Sequence, residues 1–418
     1  MIKKIIVSFL LFSGIYAIAQ DATASPYSFY GIGDIKFKGT VENRSMGGLS
    51  IFRDSIHLNL QNPASLSGLK LTTFTAGATT DETTLSNYNT DNKTKRTSLD
   101  YLALGLPLGK FGVTFGLMPY SAVGYKVSNV FTNTVNTGDV ISKSYSGSGG
   151  INKFFVGAGY QITPEISVGA TIESNFGKIQ TTGLTYYNGI QYANSELNTS
   201  NASGISFTTG LMYQSKFKSK TQIFGGFTFA PQSNLNFTNQ RIISRIQFLT
   251  SDNTNDFTAP SVADTTIKLP SKLSIGIGFG EIRKWQIGTE IVYQNSSNFG
   301  NRFNDISNVV YENATQLRFG GFYIPKYNSF TSYFQRVTYR GGFNFQNTGL
   351  IVNGKSIKDQ AFIVGLGLPL GGFFANLNLG FEIGKRGTIL SGLIVENYKN
   401  LSIGLSINDK WFVKRRYD

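Results

Sequence analysis

From Lys70 almost to the C-terminus, apolar residues return at every second position. Phe373, Ala375, Leu377, Leu379, Phe381 and Ile383 alternate with Asn376, Asn378, Gly380 and Glu382. Leu273, Ile275, Ile277 and Phe279 alternate with Ser274, Gly276, Gly278 and Gly280, and Leu401, Ile403, Leu405 and Ile407 with Ser402, Gly404, Ser406 and Asn408. A period of two sends neighbouring side chains to opposite faces of a strand, so the chain has to build sheets with one apolar and one polar face. Counting such runs gives fourteen candidate strands.

A soluble sandwich would turn the apolar face inward, whereas a membrane barrel would turn it to lipid. Two features favour the barrel. The polar face carries mostly Gly, Ser, Thr and Asn, which suits a lumen better than an exterior in bulk water. Connections also alternate in length. Short ones lie at Leu108-Gly109-Lys110, 163–165, 215–220, 280–284 and 370–372, and long polar ones at 81–97, 128–149, 187–204, 232–268, 295–314, 347–359 and 385–400. Short periplasmic turns facing long outer loops are the pattern of outer-membrane barrels. The even strand count is expected to put both termini on the periplasmic side. One connection on the short side, 324–333, is longer than its neighbours.

The N-terminus fits export. Met1-Ile2-Lys3-Lys4 precedes the apolar run from Ile5 to Ile15, and Ala17-Ile18-Ala19 ends it. A basic start, a short apolar stretch and a small-residue site make a signal peptide over 1–19. No other stretch approaches the roughly 20 apolar residues of a membrane helix, which leaves a closed barrel as the membrane-spanning form. Glycine (47), phenylalanine (34) and tyrosine (21) are abundant and proline (10) is scarce, as expected of a barrel with aromatic girdles.

With no cysteine, disulfides, a lipoprotein anchor and thiolate metal sites are excluded. The single histidine, His57, lies beside Asp54 and Ser55, but a triad is defined by geometry rather than nearness in sequence. Neither an enzyme nor a cofactor is expected. Asp252, Asp256 and Asp264 could hold a divalent ion, with a solvated loop as the alternative. The net charge of +14 fits anionic head groups, including lipopolysaccharide, rather than nucleic acid.

Residues 20–69 read differently from the rest: apolar, glycine-rich and irregular, they need walls to pack against. The segment is expected to plug the barrel formed by 70–418, which ends in the basic tail 413–418. Its hinge is Asn62-Pro63-Ala64. Asn62 should tie the plug to strand or turn backbone through its amide, and Pro63 should turn the chain toward the first strand and face the wall at Pro119.

Ser45-Met46-Gly47-Gly48, Asp54 and Asn62-Pro63-Ala64 resemble the plug signature of the FadL family of outer-membrane transporters for hydrophobic compounds. Leu269-Pro270-Ser271-Lys272-Leu273-Ser274-Ile275-Gly276, then Trp285, Tyr293 and Phe299, and Tyr339-Arg340-Gly341-Gly342-Phe343 continue the resemblance. It implies an all-β, transmembrane antiparallel barrel of about fourteen strands with an N-terminal plug, or hatch, in the lumen. It also implies passive uptake of small hydrophobic, fatty-acid-like molecules, leaving sideways through a kink in the third strand.

Pro119 lies in that strand and removes a ladder donor, making it the candidate for a lateral gap, with a simple end to the membrane segment as the alternative. Arg318, Arg336 and Arg340 fall on polar faces as candidate lumen cations, unless they pair with carboxylates such as Glu290 or Glu382. The basic tail departs from the family's terminal aromatic residue. The alternative function is a non-transporting FadL-like subunit of a larger secretion or assembly complex, with other outer-membrane proteins as partners.

Overall fold

The computed structural model describes residues 22–132, 140–187, 192–217, 220–247, 257–301, 308–370 and 374–411. The stretch 1–19 expected to be a signal peptide, Asp252, Asp256 and the basic tail lie outside the described residues. Fourteen antiparallel strands close into a barrel. In chain order they are β1 (Thr72–Ser86), β2 (Asp91–Leu108), β3 (Phe111–Thr132), β4 (Val140–Gln161), β5 (Ile166–Tyr187), β6 (Tyr192–Lys216) and β7 (Thr221–Ala230, resuming as Ser233–Gln247). Then come β8 (Phe257–Thr258, Thr265–Leu269 and Lys272–Glu281), β9 (Trp285–Gln294), β10 (Val309–Tyr311 and Ala314–Tyr323), β11 (Thr338–Val352), β12 (Lys355–Leu370), β13 (Phe374–Gly387) and β14 (Val395–Asp409). Each pairs with its sequence neighbour. β14 returns to β1 along its length, from Asp409↔Thr72 to Val395↔Ser86, and so closes the sheet on itself.

Alternation decides which face meets what. In β8, Ile275, Ile277 and Phe279 point outward, Ile277 being 64% exposed, while Ser274 is buried toward the interior. The same outward row recurs on β7 with Phe227 and Phe229 and on β14 with Leu401 and Ile403. In water this surface would be costly; in lipid it is the solvated face. Aromatic rings gather at the short-turn rim, including Phe111 against Tyr160 at 4.4 Å and Trp285 against Phe279 at 5.6 Å.

The long connections read from sequence are corrected. β1 runs to Ser86 and β2 starts at Asp91, and Asn353-Gly354 alone joins β11 to β12. Much of what reads as loop is hairpin that continues the barrel past the membrane. A bilayer-spanning strand needs about 9–11 residues. At Pro231 in β7 and Pro270 in β8 the strands break after ten residues, Thr221–Ala230 and Lys272–Glu281, and resume beyond.

Residues 22–69 lie inside the closed sheet. The first described residues reach the long-loop end, where Ser25 Oγ donates to Glu396 Oε1 at 2.5 Å and Tyr27 Oη to the Ile394 carbonyl at 2.5 Å. The chain then descends through the helical turn Val41–Arg44 to the short-turn end at Arg53–His57, before β1 begins. The expectation of two termini on one side therefore holds for β1 and β14 but not for the start of the N-terminal segment.

Candidate functional site

The Asn62-Pro63-Ala64 stretch is built as a cap. Asn62 Oδ1 accepts from the Ala64 amide at 3.1 Å and starts the 3-10 turn Pro63–Gly68, where Pro63 needs no donor. Asn62 Nδ2 donates at 3.4 Å to the carbonyls of Leu211 and Phe227, on β6 and β7. Ala64 is buried against the wall, and a Cβ on Gly169 would come within 2.4 Å of the Pro63 carbonyl carbon. Higher in the barrel, Gly47 adopts φ 73° and a Cβ there would stand 2.6 Å from the Phe319 carbonyl oxygen, so only glycine fits both the backbone and the space. Gly48, with φ 87°, gives its carbonyl to Arg318 Nη1 at 2.8 Å.

Pro63 does not face Pro119. The wall at Pro119 is met by the earlier stretch 32–36. Asp34–Ile35 pairs with Ala122 and Ser121 of β3, the Lys36 amide donates to the Tyr120 carbonyl at 3.0 Å, and Ser121 Oγ donates to the Ile32 carbonyl at 2.7 Å. The two prolines sit in different parts of the interior because residues 37–61 run between them.

Around Pro119 the wall is interrupted. The β2–β3 ladder holds from Leu108↔Phe111 to Leu102↔Leu117 and stops, although β2 stays paired with β1 to Asp91 and β3 with β4 to Thr132. Both strands are bulged at the break. Asp100 is the extra residue opposite Gly77 and Ala78, and Tyr120 is the extra residue between Pro119 and Ser121. A bulge bends its strand and ends local pairing, and here two adjacent strands bend apart. Beyond it, Ala122, Val123, Gly124 and Tyr125 are buried in succession, so β3 leans into the lumen. Ile35 remains 44% exposed there.

Inside, charges cross-link segment and wall. Lys36 meets Asp81 at 3.0 Å, Arg386 meets Asp34 at 2.6 Å, and Arg44 meets Asp100 at 3.4 Å. Lys38 lies 3.6 Å from Glu382 and 3.9 Å from Asp359. Burial disfavours charge on Asp34 and on Lys38, but their partners outweigh it, holding the carboxyl below its usual range and the ammonium above its own. Burial likewise pushes the Tyr27 hydroxyl up to about 12, and the Glu396 charge adds to it.

Near the short-turn end, His57 Nδ1 stands 2.9 Å from Asp54 Oδ2, and its Nε2 faces Glu42 at 4.0 Å. Burial opposes the imidazolium, yet Asp54 and Glu42 raise its pKa, while Asp54 is lowered to about 2 against its own burial.

The three arginines part company. Arg318 is buried in the lumen, 2.9 Å from Glu290, whose other oxygen accepts from the Ser50 amide at 2.7 Å. Arg340 is buried and donates to Asn378 Oδ1 at 2.9 Å, and Asn378 donates in turn to Glu42 at 2.7 Å. Arg336 is corrected: it lies exposed in the connection after β10, its guanidinium 5.5 Å from the Tyr333 ring, because β11 begins only at Thr338. Asp264 is tied to the Asn239 amide at 3.1 Å.

A cavity of about 370 Å³ runs between segment and wall, lined by Ile35, Phe37, Met118 and Tyr120 as well as by the ion pairs. Sequence reading missed its other cations. Lys153 is bound to Glu173 at 2.5 Å over the Tyr120 ring, and Lys272 sits inside the recognised Leu269–Gly276 run yet faces this cavity. Lys272 shares the parity of Ser274 and Gly276 opposite Leu273 and Ile275, which marked it as inward, whereas Asn152 beside Lys153 blurs that contrast.

A family model described as BamG matches residues 1–418. Solved structures share the fold at low identity. The Pseudomonas putida toluene transporter TodX is 15% identical, with 91% of this chain and 100% of that one covered and a TM-score of 0.57. The Ralstonia pickettii toluene transporter TbuX is 14% identical, with 90% and 99% covered and a TM-score of 0.57. A Pseudomonas aeruginosa FadL homologue is 11% identical, with 91% and 100% covered and a TM-score of 0.56. Among the curated proteins, none matches.

Proposed function

The chain belongs to the BamG family, is FadL-related and resides in the outer membrane of a Gram-negative bacterium, and from that premise we propose that it admits small hydrophobic, fatty-acid-like molecules by a lateral route. The observation that carries this reading is the β2–β3 ladder ending at Leu102↔Leu117 while both strands continue. Seven paired residues fall short of the roughly 9–11 that cross a bilayer, so the opening lies at the level of the long-loop leaflet.

Residues 32–36 stand across it as the movable part of a plug made by the N-terminal segment, and the exposed Ile35 offers an apolar surface beside it. The cavity behind the opening takes the ligand, whose polar end is matched by Lys272 when it is acidic. Arg318 and Arg340, already partnered, hold the plug rather than the ligand.

The test uses the pairing of Ile35 with Ser121. An Ile35→Cys/Ser121→Cys barrel, free of competing cysteines, should lose toluene and fatty-acid uptake when oxidised and regain it on reduction. Unchanged uptake with the disulfide verified would sink the lateral route.

A second reading, a non-transporting subunit of an outer-membrane secretion or assembly complex, is favoured by the ion pairs that bind the segment to the wall on several sides. Stoichiometric co-purification of other outer-membrane proteins in mild detergent, together with uptake indifferent to the disulfide, would select it.

A further inference from the structure

The connection between β10 and β11 is long for the short-turn side, and it is folded. Lys326 and Gln335 are joined through backbone at 2.8 Å, Ser329 Oγ donates to Gln335 Oε1 at 2.8 Å, and Ile324 and Val337 are buried at its base. The Ile324 amide donates to the Lys284 carbonyl at 2.6 Å, joining it to the neighbouring turn 282–284 as one pad. This frame holds apolar groups out. Phe330 is 101% exposed and Phe334 73%, with Tyr327, Tyr333 and Ile282 exposed beside them. A large exposed aromatic patch on an ordered scaffold marks an interaction surface.

Charge says what covers it. Arg283, Lys284, Lys326 and Arg336 surround the rings, with Arg283 5.0 Å from Tyr327 and Arg336 5.5 Å from Tyr333. Glu281, bound to Lys284 at 3.1 Å, is the one carboxylate in 281–284 and 324–337. The pad is also continuous with the lipid-facing wall: exposed Tyr339, at the rim of β11, donates from its hydroxyl to the Phe334 carbonyl at 3.2 Å. Aromatic rings with basic neighbours at the edge of a lipid-facing surface are the composition of a membrane-interface element.

We propose that residues 282–284 and 324–337 form a foot that inserts its aromatic tip into the periplasmic phospholipid leaflet beside the barrel and recognises anionic head groups there. Phe330 and Phe334 enter the boundary between head groups and acyl chains, and the four basic residues bind lipid phosphates. Such a contact would anchor the barrel's short-turn rim and gather acidic lipid around β9 to β11.

The chain has no native cysteine, so one environment-sensitive fluorophore can be placed at Phe330→Cys or Phe334→Cys without background. The full-length protein would be put into nanodiscs of phosphatidylcholine, with or without phosphatidylglycerol, and folding checked by heat-modifiable gel migration. The expected result is quenching by lipids spin-labelled near the head group, protection from aqueous iodide, and enhancement of both by phosphatidylglycerol. Lys326→Glu and Arg336→Glu, each in a folded barrel, should each weaken the anionic-lipid preference about five-fold or more, since a surface charge near an anionic leaflet contributes about 1 kcal/mol.

Iodide-accessible probes in both lipids would overturn the proposal. So would probes that are shielded only in native membranes and cross-link to a second protein, which would assign the foot to a protein partner.

Discussion

At the scale of single residues, the interior depends on charges whose partners lie far away in sequence. Glu290 and Arg318 are both almost fully buried, and together they hold the backbone from Gly48 to Ser50. A buried pair is weak evidence of net stabilisation, but stripping one partner leaves an uncompensated charge. Glu290→Ala is therefore expected to destabilise the segment–wall contact by about 3–5 kcal/mol, while Glu290→Met/Arg318→Met recovers much of the loss. Urea titrations of the folded barrel, with hydrogen exchange at 48–50 as the local readout, check this. A loss in the double variant equal to the sum of the Glu290→Met and Arg318→Met losses would show the two residues to be uncoupled.

His57 gives the pH dependence. Its raised pKa makes its contribution complete below the ordinary histidine value of about 6.5 and lost as pH rises through the folded value. Asp54, held down at about 2, contributes fully above the ordinary value of about 3.9 and loses it on acidification toward its folded pKa. The two windows overlap between about pH 4 and 6.5. Glu42 and Arg340 face the same imidazole and act in opposite senses, Glu42 raising and Arg340 lowering its pKa. Hydrogen exchange at 53–57 should thus differ most between the native chain and His57→Gln inside that window, and less on either side. A difference that ignores pH would remove the ion pair from the account.

At the scale of elements, period-two alternation made the membrane strands legible, since lipid and lumen impose opposite demands on adjacent residues. The hairpin extensions were not legible. Beyond the bilayer both faces meet water, and stretches such as Asp81-Glu82-Thr83-Thr84 lose the contrast on which the reading depends. Pro119 was found because proline interrupts a ladder whatever surrounds it. Its counterpart on β2 was hidden, because an aspartate at a bulge looks like any polar residue until Asp100 is seen paired with Arg44.

Pro119 withholds a ladder donor beside one of two bulges, so restoring that donor while both bulges remain should close the opening only in part. Pro119→Thr is expected to leave the barrel folded and to slow uptake of a hydrophobic probe severalfold without abolishing it. Uptake assays on barrels of equal surface level would test this, and wild-type rates would detach the opening from transport.

At the scale of the molecule, strand number and orientation follow from local pattern, whereas the path of residues 22–69 inside the barrel follows from closure. Asp34 and Arg386, or Lys38 and Glu382, become neighbours only once β14 has met β1. The glycines and Asn62-Pro63-Ala64 announced a packed segment, but they did not announce that it begins at the long-loop end.

Those pairings also predict what an emptied barrel would do. Deleting residues 22–69 removes Lys36, Lys38 and Arg44 from Asp81, from Asp359 and Glu382, and from Asp100. The wall would keep its strand-to-strand ladders, because among the described residues the segment pairs with it only at Ser121 and Ala122 of β3, beyond the point where the β2–β3 ladder ends. The lumen would fill with water lined by carboxylates that have lost their cations, and a charged lining sets the preference of a wide pore. Planar-bilayer recordings should therefore show large, steady, cation-preferring conductance for the deletion and little for the full chain. Equal conductance in both would mean that the segment does not close the barrel, and an anion preference would mean that Lys153, Lys272, Arg318 and Arg386 govern the lumen instead.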